Sequence, residues 1–225
     1  MDFVRILRSL EELLYEAMTW LIFYPRTFWR ALRRPITMLR YSDRELGDAP
    51  EQQFTDMLSP PLFLMLTILL SHVIEVASHQ ALPRPDNAIG RQIMASDENL
   101  LLLRSILFAI YPLLFAVGRL SRQRVKLDLE SLRRPFYAQC YIAAPAAFAF
   151  GIGSILGRAH AVELQVAGLL VSTGSVVWYV SIEAYWLRIQ AKLPRLRAGW
   201  LAFRTWLLAS LINSVIGFVI LGAAA

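Results

Sequence analysis

A chain of 225 residues that is 56% hydrophobic and only 18% charged lies outside the range of soluble domains, where charged residues alone make up about a quarter. Its formal net charge of +6 is gathered in short stretches beside apolar runs, which excludes a nucleic-acid partner and points to membrane topology. The single cysteine, Cys140, excludes an intramolecular disulfide and, inside an apolar run, reads as small apolar filler.

Residues 1–57 are expected to form a cytoplasmic, interfacial segment, and residues 58–225 a five-helix transmembrane domain. Phe3 to Tyr24 reads as one amphipathic helix, with Val4, Leu7, Leu10, Leu14, Met18 and Leu21 near one face. Arg5, Arg8, Glu12 and Glu16 lie largely away from that face, which suits a helix resting in the membrane interface. Its second half is apolar nearly all round but too short to span, and Tyr24-Pro25 is expected to stop it. No small-residue cleavage site follows, so a cleaved signal peptide is not expected. A second short helix is expected from Arg26 to about Tyr41. There Arg26, Arg30, Arg33 and Arg34 mix with Phe28 and Trp29 as at a headgroup boundary, a candidate surface for anionic lipid or a protein partner. Ser42 to Asp56 reads as a polar loop leading to Ser59-Pro60-Pro61, whose prolines suit a helix start.

Five apolar runs follow, beginning near Pro61, Leu100, Ala138, Leu164 and Trp200. Each continues for roughly 18 to 25 residues, against the about 20 that a helix needs to cross a bilayer. Backbone groups in lipid must pair within the segment, so these are helices. Eight arginines precede the first run, and the connections then carry two, six, one and four Lys or Arg. The alternation puts the N-terminus in the cytoplasm and the C-terminus in the periplasm. The expectation is an all-α integral membrane protein, multi-pass in a bacterial inner (cytoplasmic) membrane, with N-terminal interfacial helices.

The first span carries His72, Glu75 and His79. At about 100° per residue, Glu75 lies about 60° and His79 about 20° from His72, so all three share a face. They extend over about 10 Å of axis, too long for one metal ion, and no second His or Cys cluster supplies more ligands. Neither a metal nor a cofactor is expected. Ionisable groups at membrane depth are costly and mark function, and histidine beside a buried carboxyl suits proton handling. Arg104, early in the inward-running second span, lies at the depth of Glu75 and is placed to pair with it. His72, Glu75, His79 and Arg104 are thus either a structural ion pair with its neighbours or a polar transport site.

Glu183 is placed near the inner end of the fourth span, with Arg188 or Arg119 as an interfacial partner. Asn213, with Ser210 and Ser214 nearby, and Gly153 with Gly157 offer interhelical packing, while Pro112 and Pro145 are expected to kink their helices. No phosphate-cradling loop and no nucleophile beside a base is present, so no catalytic residue and no enzyme activity are expected.

Two stretches carry a resemblance. Leu58-Ser59-Pro60-Pro61-Leu62-Phe63 leads into the five spans, and Tyr137-Ala138-Gln139-Cys140-Tyr141, followed by Pro145, opens the third. Together they resemble the Yip family of small five-span membrane proteins, especially its bacterial relatives, over about residues 25 to 222. The resemblance implies an all-helical five-span fold with a cytoplasmic N-terminus. Eukaryotic members are associated with trafficking GTPases and vesicle membranes, whereas bacterial relatives carry a loose permease label. No GTPase-contact motif is present here, so that role does not carry over. The expected function is therefore permease-like: moving an ion, small solute or lipid through the polar site on the first two spans. The alternative is a non-catalytic membrane adaptor whose arginine-rich face binds anionic lipid, a membrane-protein partner or a second copy of the chain.

Overall fold

A computed structural model describes residues 2–78 and 87–221. The described residues are helical with no strand: α1 (Asp2–Arg33), α2 (Pro35–Glu45), α3 (Pro60–Ala77), α4 (Ala88–Met94), α5 (Asp97–Gln123), α6 (Leu129–Gly157), α7 (Val162–Ala191) and α8 (Arg195–Leu221). Five of these, α3 and α5 to α8, are long and apolar enough to cross a membrane. At about 1.5 Å per residue, the 18 residues of α3 cover about 27 Å and the 30 of α7 about 45 Å. Their outward faces are apolar too: Val73 on α3, Ile106 on α5, Leu169 on α7 and Leu211 on α8 are all exposed. A surface this apolar belongs against lipid, not water.

The centre of the bundle is α6, packed against α3, α5 and α7. Its sequence explains the position, because small residues (Ala138, Ala143, Ala144, Ala147 and Gly153) are buried along its length and let neighbouring helices approach. Contact with α7 is closest where Gly153 and Gly157 meet Gly168. The helix begins well before its apolar run, at Leu129. Asp128 starts it by accepting from the Ser131 amide at 2.8 Å while Ser131 Oγ accepts from the Asp128 amide at 3.2 Å. That backbone hydrogen bond also holds the Asp128 carboxyl below its ordinary range, so the cap is intact at neutral pH.

Two expectations for the N-terminal segment are corrected. Pro25 does not stop α1, which continues to Arg33. Residues on either side of the proline are tied to the bundle: Tyr24 donates to Thr67 Oγ1 at 3.2 Å, and the Leu58 amide donates to Thr27 Oγ1 at 3.3 Å. The Phe28 ring meets Phe148 edge-on at 5.4 Å. Tertiary packing outweighs one missing backbone donor. The break falls at Arg34 (φ −132°), because the proline that follows it disfavours helical geometry there.

The stretch from Ser42 to Asp56 is also less loop-like than expected. α2 runs to Glu45, and Pro50–Gln52 form a 3-10 turn. Glu45 then accepts from the Phe54 amide at 2.6 Å, helping to hold Phe54 at φ 56° with its ring against Tyr41 and Tyr137. Between the first two spans, α4 is capped by Asn87, which accepts from the Gly90 amide and donates to the Val219 carbonyl on α8.

Candidate functional site: an ion triad and the cavity beside it

The last turns of α3, the first turns of α5 and the end of α6 meet at one end of the bundle. Glu75 is buried there, and both carboxylate oxygens are taken: Arg104 on α5 bridges Oε2, and Arg158 bridges Oε1. Arg158 follows Gly157 as the cap of α6, and its Nε also donates to the Ser154 carbonyl at 3.3 Å. Two guanidinium groups against one carboxylate leave the triad with a net charge of +1. The arginine side chains keep 22% and 29% exposure while the carboxylate keeps 11%, so the surplus positive charge faces outward from a buried anion. A carboxylate held in this way acts as a counter-ion.

The remaining expected residues of this site do not join it. His72 is buried one turn before Glu75, with Nδ1 unpartnered among the described residues, and it lines neither cavity described below. His79 lies outside the described residues. No group of three or more His, Cys, Asp or Glu gathers among the described residues in a metal-holding arrangement.

Two cavities adjoin the triad. The smaller, about 180 Å³, is walled by Glu75 and Arg104 together with Ser71, Phe108 and Ser154. The larger, about 660 Å³, lies among α5, α6, α7 and α8, and Arg104, Phe108, Ala147 and Phe150 belong to the walls of both. Its origin is compositional. Ala143, Ala146 and Ala147 of α6, Ser172, Thr173 and Ser175 of α7 and Ser210 and Ser214 of α8 line it, so three of its four helices contribute little side-chain bulk at this level. The volume falls within the about 300–1,000 Å³ typical of small-molecule sites. Its walls are apolar with a few fixed polar points. Tyr111 shares a hydrogen bond of 3.1 Å with Ser210, and Asn213 donates to the Leu107 carbonyl at 3.1 Å. At the end away from Arg104, the Tyr179 ring stands edge-on to Phe115 at 5.5 Å and to Tyr111 at 6.4 Å.

One turn beyond Tyr179, Glu183 corrects a further expectation. It is 1% exposed, and its carboxylate accepts from Gln139 Nε2 on α6 at 3.2 Å; it has no ion pair among the described residues. Arg188, five residues on, is rotated by about 140° and cannot share its face. Its guanidinium lies over the Tyr185 ring instead, and Arg119 reaches Asp43 at 3.4 Å.

Arg26, Arg30, Arg33 and Arg34 are all exposed, with the Arg33 guanidinium stacked 3.9 Å from the Trp29 ring centre. They form a surface, not a pocket. No protein-family model, curated protein or solved structure matches the chain.

Proposed function

We propose that the protein is a permease-like, multi-pass protein of a bacterial inner membrane, and that the cavity among α5 to α8 takes an anion with a large apolar part. The observation that carries this reading is an apolar cavity of about 660 Å³ with Arg104, part of a triad of surplus positive charge, on its wall. The anionic group sits at Arg104, whose fork Glu75 holds in place, and the apolar body lies against Phe108, Phe150, Val176 and Trp206. Of the three described residues expected to form the transport site, His72, Glu75 and Arg104, Arg104 alone lines this cavity, so the site moves from the first two spans toward the last four.

The orientation rests on the regular alternation of basic and poor connections, with the N-terminus cytoplasmic and the C-terminus periplasmic. Leu14, Tyr15, Met18, Leu21 and Ile22 on α1 are exposed, which favours seating that helix in the interface. The permease label of the bacterial Yip relatives points the same way.

A fluorescent long-chain carboxylate and its uncharged methyl ester test the reading on purified protein. The carboxylate is expected to bind more tightly than the ester. Arg104→Gln removes a charge-assisted contact worth about 1.5–3 kcal/mol, so carboxylate affinity should drop by about tenfold or more while ester binding stays. Ala146→Phe, which fills the cavity, should weaken both. Equal binding of the two probes by the wild type would overturn the anion site.

The adaptor reading stands second, supported by Arg33 stacked on the exposed Trp29. It predicts that reversing the charge at Arg30, Arg33 and Arg34 strips co-purifying anionic lipid from the protein while Ala146→Phe does not. Unchanged lipid retention removes it.

A further inference from the structure

Five buried polar atoms without partners among the described residues belong to Glu183 and its neighbours. They are Glu183 Oε1 itself, Gln139 Oε1 on α6, the Tyr179 hydroxyl and Trp186 Nε1 on α7, and a terminal nitrogen of Arg122 on α5. Gln139, Tyr179, Glu183 and Trp186 are each at least nine-tenths buried. Tyr179 and Trp186 stand four residues before and three after Glu183, so all three share one helix face. A single buried polar group without a partner is costly, and native interiors hold few of them. A carboxylate oxygen and four neighbouring groups left so is an arrangement that packing alone does not favour.

The contrast with Glu75 is chemical. Both oxygens of Glu75 are locked by guanidinium groups, whereas Glu183 has one oxygen on a neutral amide and the other unpartnered. On α5, Arg122 and Arg119 lie within electrostatic reach of Glu183 without pairing to it. Arg122 folds back over Gly118, where a Cβ would sit 3.2 Å from its guanidinium, and Arg204 of α8 lies within its reach. Arg119 is drawn to Asp43 of α2. From α6 the facing groups are Gln139 and, near Tyr179, the Cys140 thiol. Tyr179 has a second position in the fold: it forms the inner wall of the large cavity, between Tyr111 and Phe115.

We infer that Glu183 is a proton-exchanging carboxyl that opens onto the large cavity past Tyr179, and that occupancy of the cavity changes its protonation. This rests on the cavity reading for its ligand, though the proton site itself does not. The step balances without a co-reactant. The carboxylate takes one proton from hydronium in the cavity, forming an O–H bond and leaving water, and returns that proton to water by the same route. A ligand whose apolar body presses on the Tyr179 ring alters the passage between carboxyl and cavity, so proton exchange and solute binding become linked.

Infrared difference spectroscopy of the full chain in nanodiscs tests this, with the same long-chain carboxylate as probe and its binding followed by fluorescence in the same samples. The wild type is expected to show the carbonyl stretch of a protonated carboxyl that titrates with pH, exchanges in heavy water and changes when the probe binds. Glu183→Gln should remove that band. Tyr179→Phe should keep the band, slow its exchange by about tenfold and abolish its response to the probe. A titrating band that persists in Glu183→Gln, or the absence of any such band in the wild type, overturns the proton site. A band that ignores bound probe overturns the coupling. If the probe does not bind while the band titrates and is lost in Glu183→Gln, the cavity reading fails and the proton site stands. Should Glu183→Gln not fold, Tyr179→Phe decides: an exchange rate equal to the wild type's overturns the passage.

Discussion

Glu75→Gln is expected to destabilise the bundle by about 3 kcal/mol, the lower end of the about 3–5 kcal/mol lost when one member of a buried ion pair is removed. The substitution keeps shape and removes charge, so Arg104 and Arg158 are left facing each other across an amide. The lower end applies because both guanidinium groups retain some exposure, at 22% and 29%, and can turn partly outward. Arg104→Gln in the same chain relieves the like-charge contact. The double variant should therefore be more stable than the sum of the single effects predicts, with a coupling of more than about 1 kcal/mol. Unfolding of the purified protein in detergent measures all three. If Glu75→Gln falls within about 0.5 kcal/mol of the wild type, the range of an ordinary surface change, the triad does not clamp α3, α5 and α6 together.

The parts of this fold that were legible in the sequence are those set by one coordinate along the chain. Apolar run length located the five long helices, and depth along oppositely running spans put Arg104 level with Glu75. What stayed hidden depends on rotation or on more than two helices at once. Arg158 is the single basic residue of a basic-poor connection, where its position bears on topology alone. An isolated arginine stands out where the rule disfavours one, and here it has a buried partner in Glu75. Glu183 has neighbours other than those its depth suggests, because depth says nothing about which face it occupies. Arg188 and Glu183 are close in sequence and about 140° apart in rotation.

Two further features of the structure had no signal in any single segment. The cavity exists because α6, α7 and α8 each present small residues at one level facing α5, and no one of those runs is unusual. The helical course of α1 through Pro25 depends on Thr67, Leu58 and Phe148, all distant in the chain.

Gly168→Ala carries the other large effect. A Cβ there would lie 2.4 Å from the Gly157 nitrogen and 2.6 Å from the Gly153 carbonyl oxygen, and both are backbone atoms that cannot rotate away. The helices must separate, at the about 1–3 kcal/mol typical of overpacking. The control lies on the same helix: a Cβ on Gly174 meets nothing within 4 Å. Gly174→Ala should therefore be neutral or stabilising by up to about 1 kcal/mol, because alanine is the better helix former. Separation of α6 from α7 has consequences along the whole seam. Ser172, whose Oγ would lie 2.3 Å from a Cβ on Gly153, also lines the large cavity, and farther along the same seam Gln139 reaches Glu183. Gly168→Ala is thus expected to lower the thermal midpoint, at about 2–4 °C for each kcal/mol, and to weaken binding of the long-chain carboxylate. Gly174→Ala should do neither. Equal midpoints for the two variants would show that α6 and α7 are not in backbone contact, and the cavity wall they form would have to be redrawn.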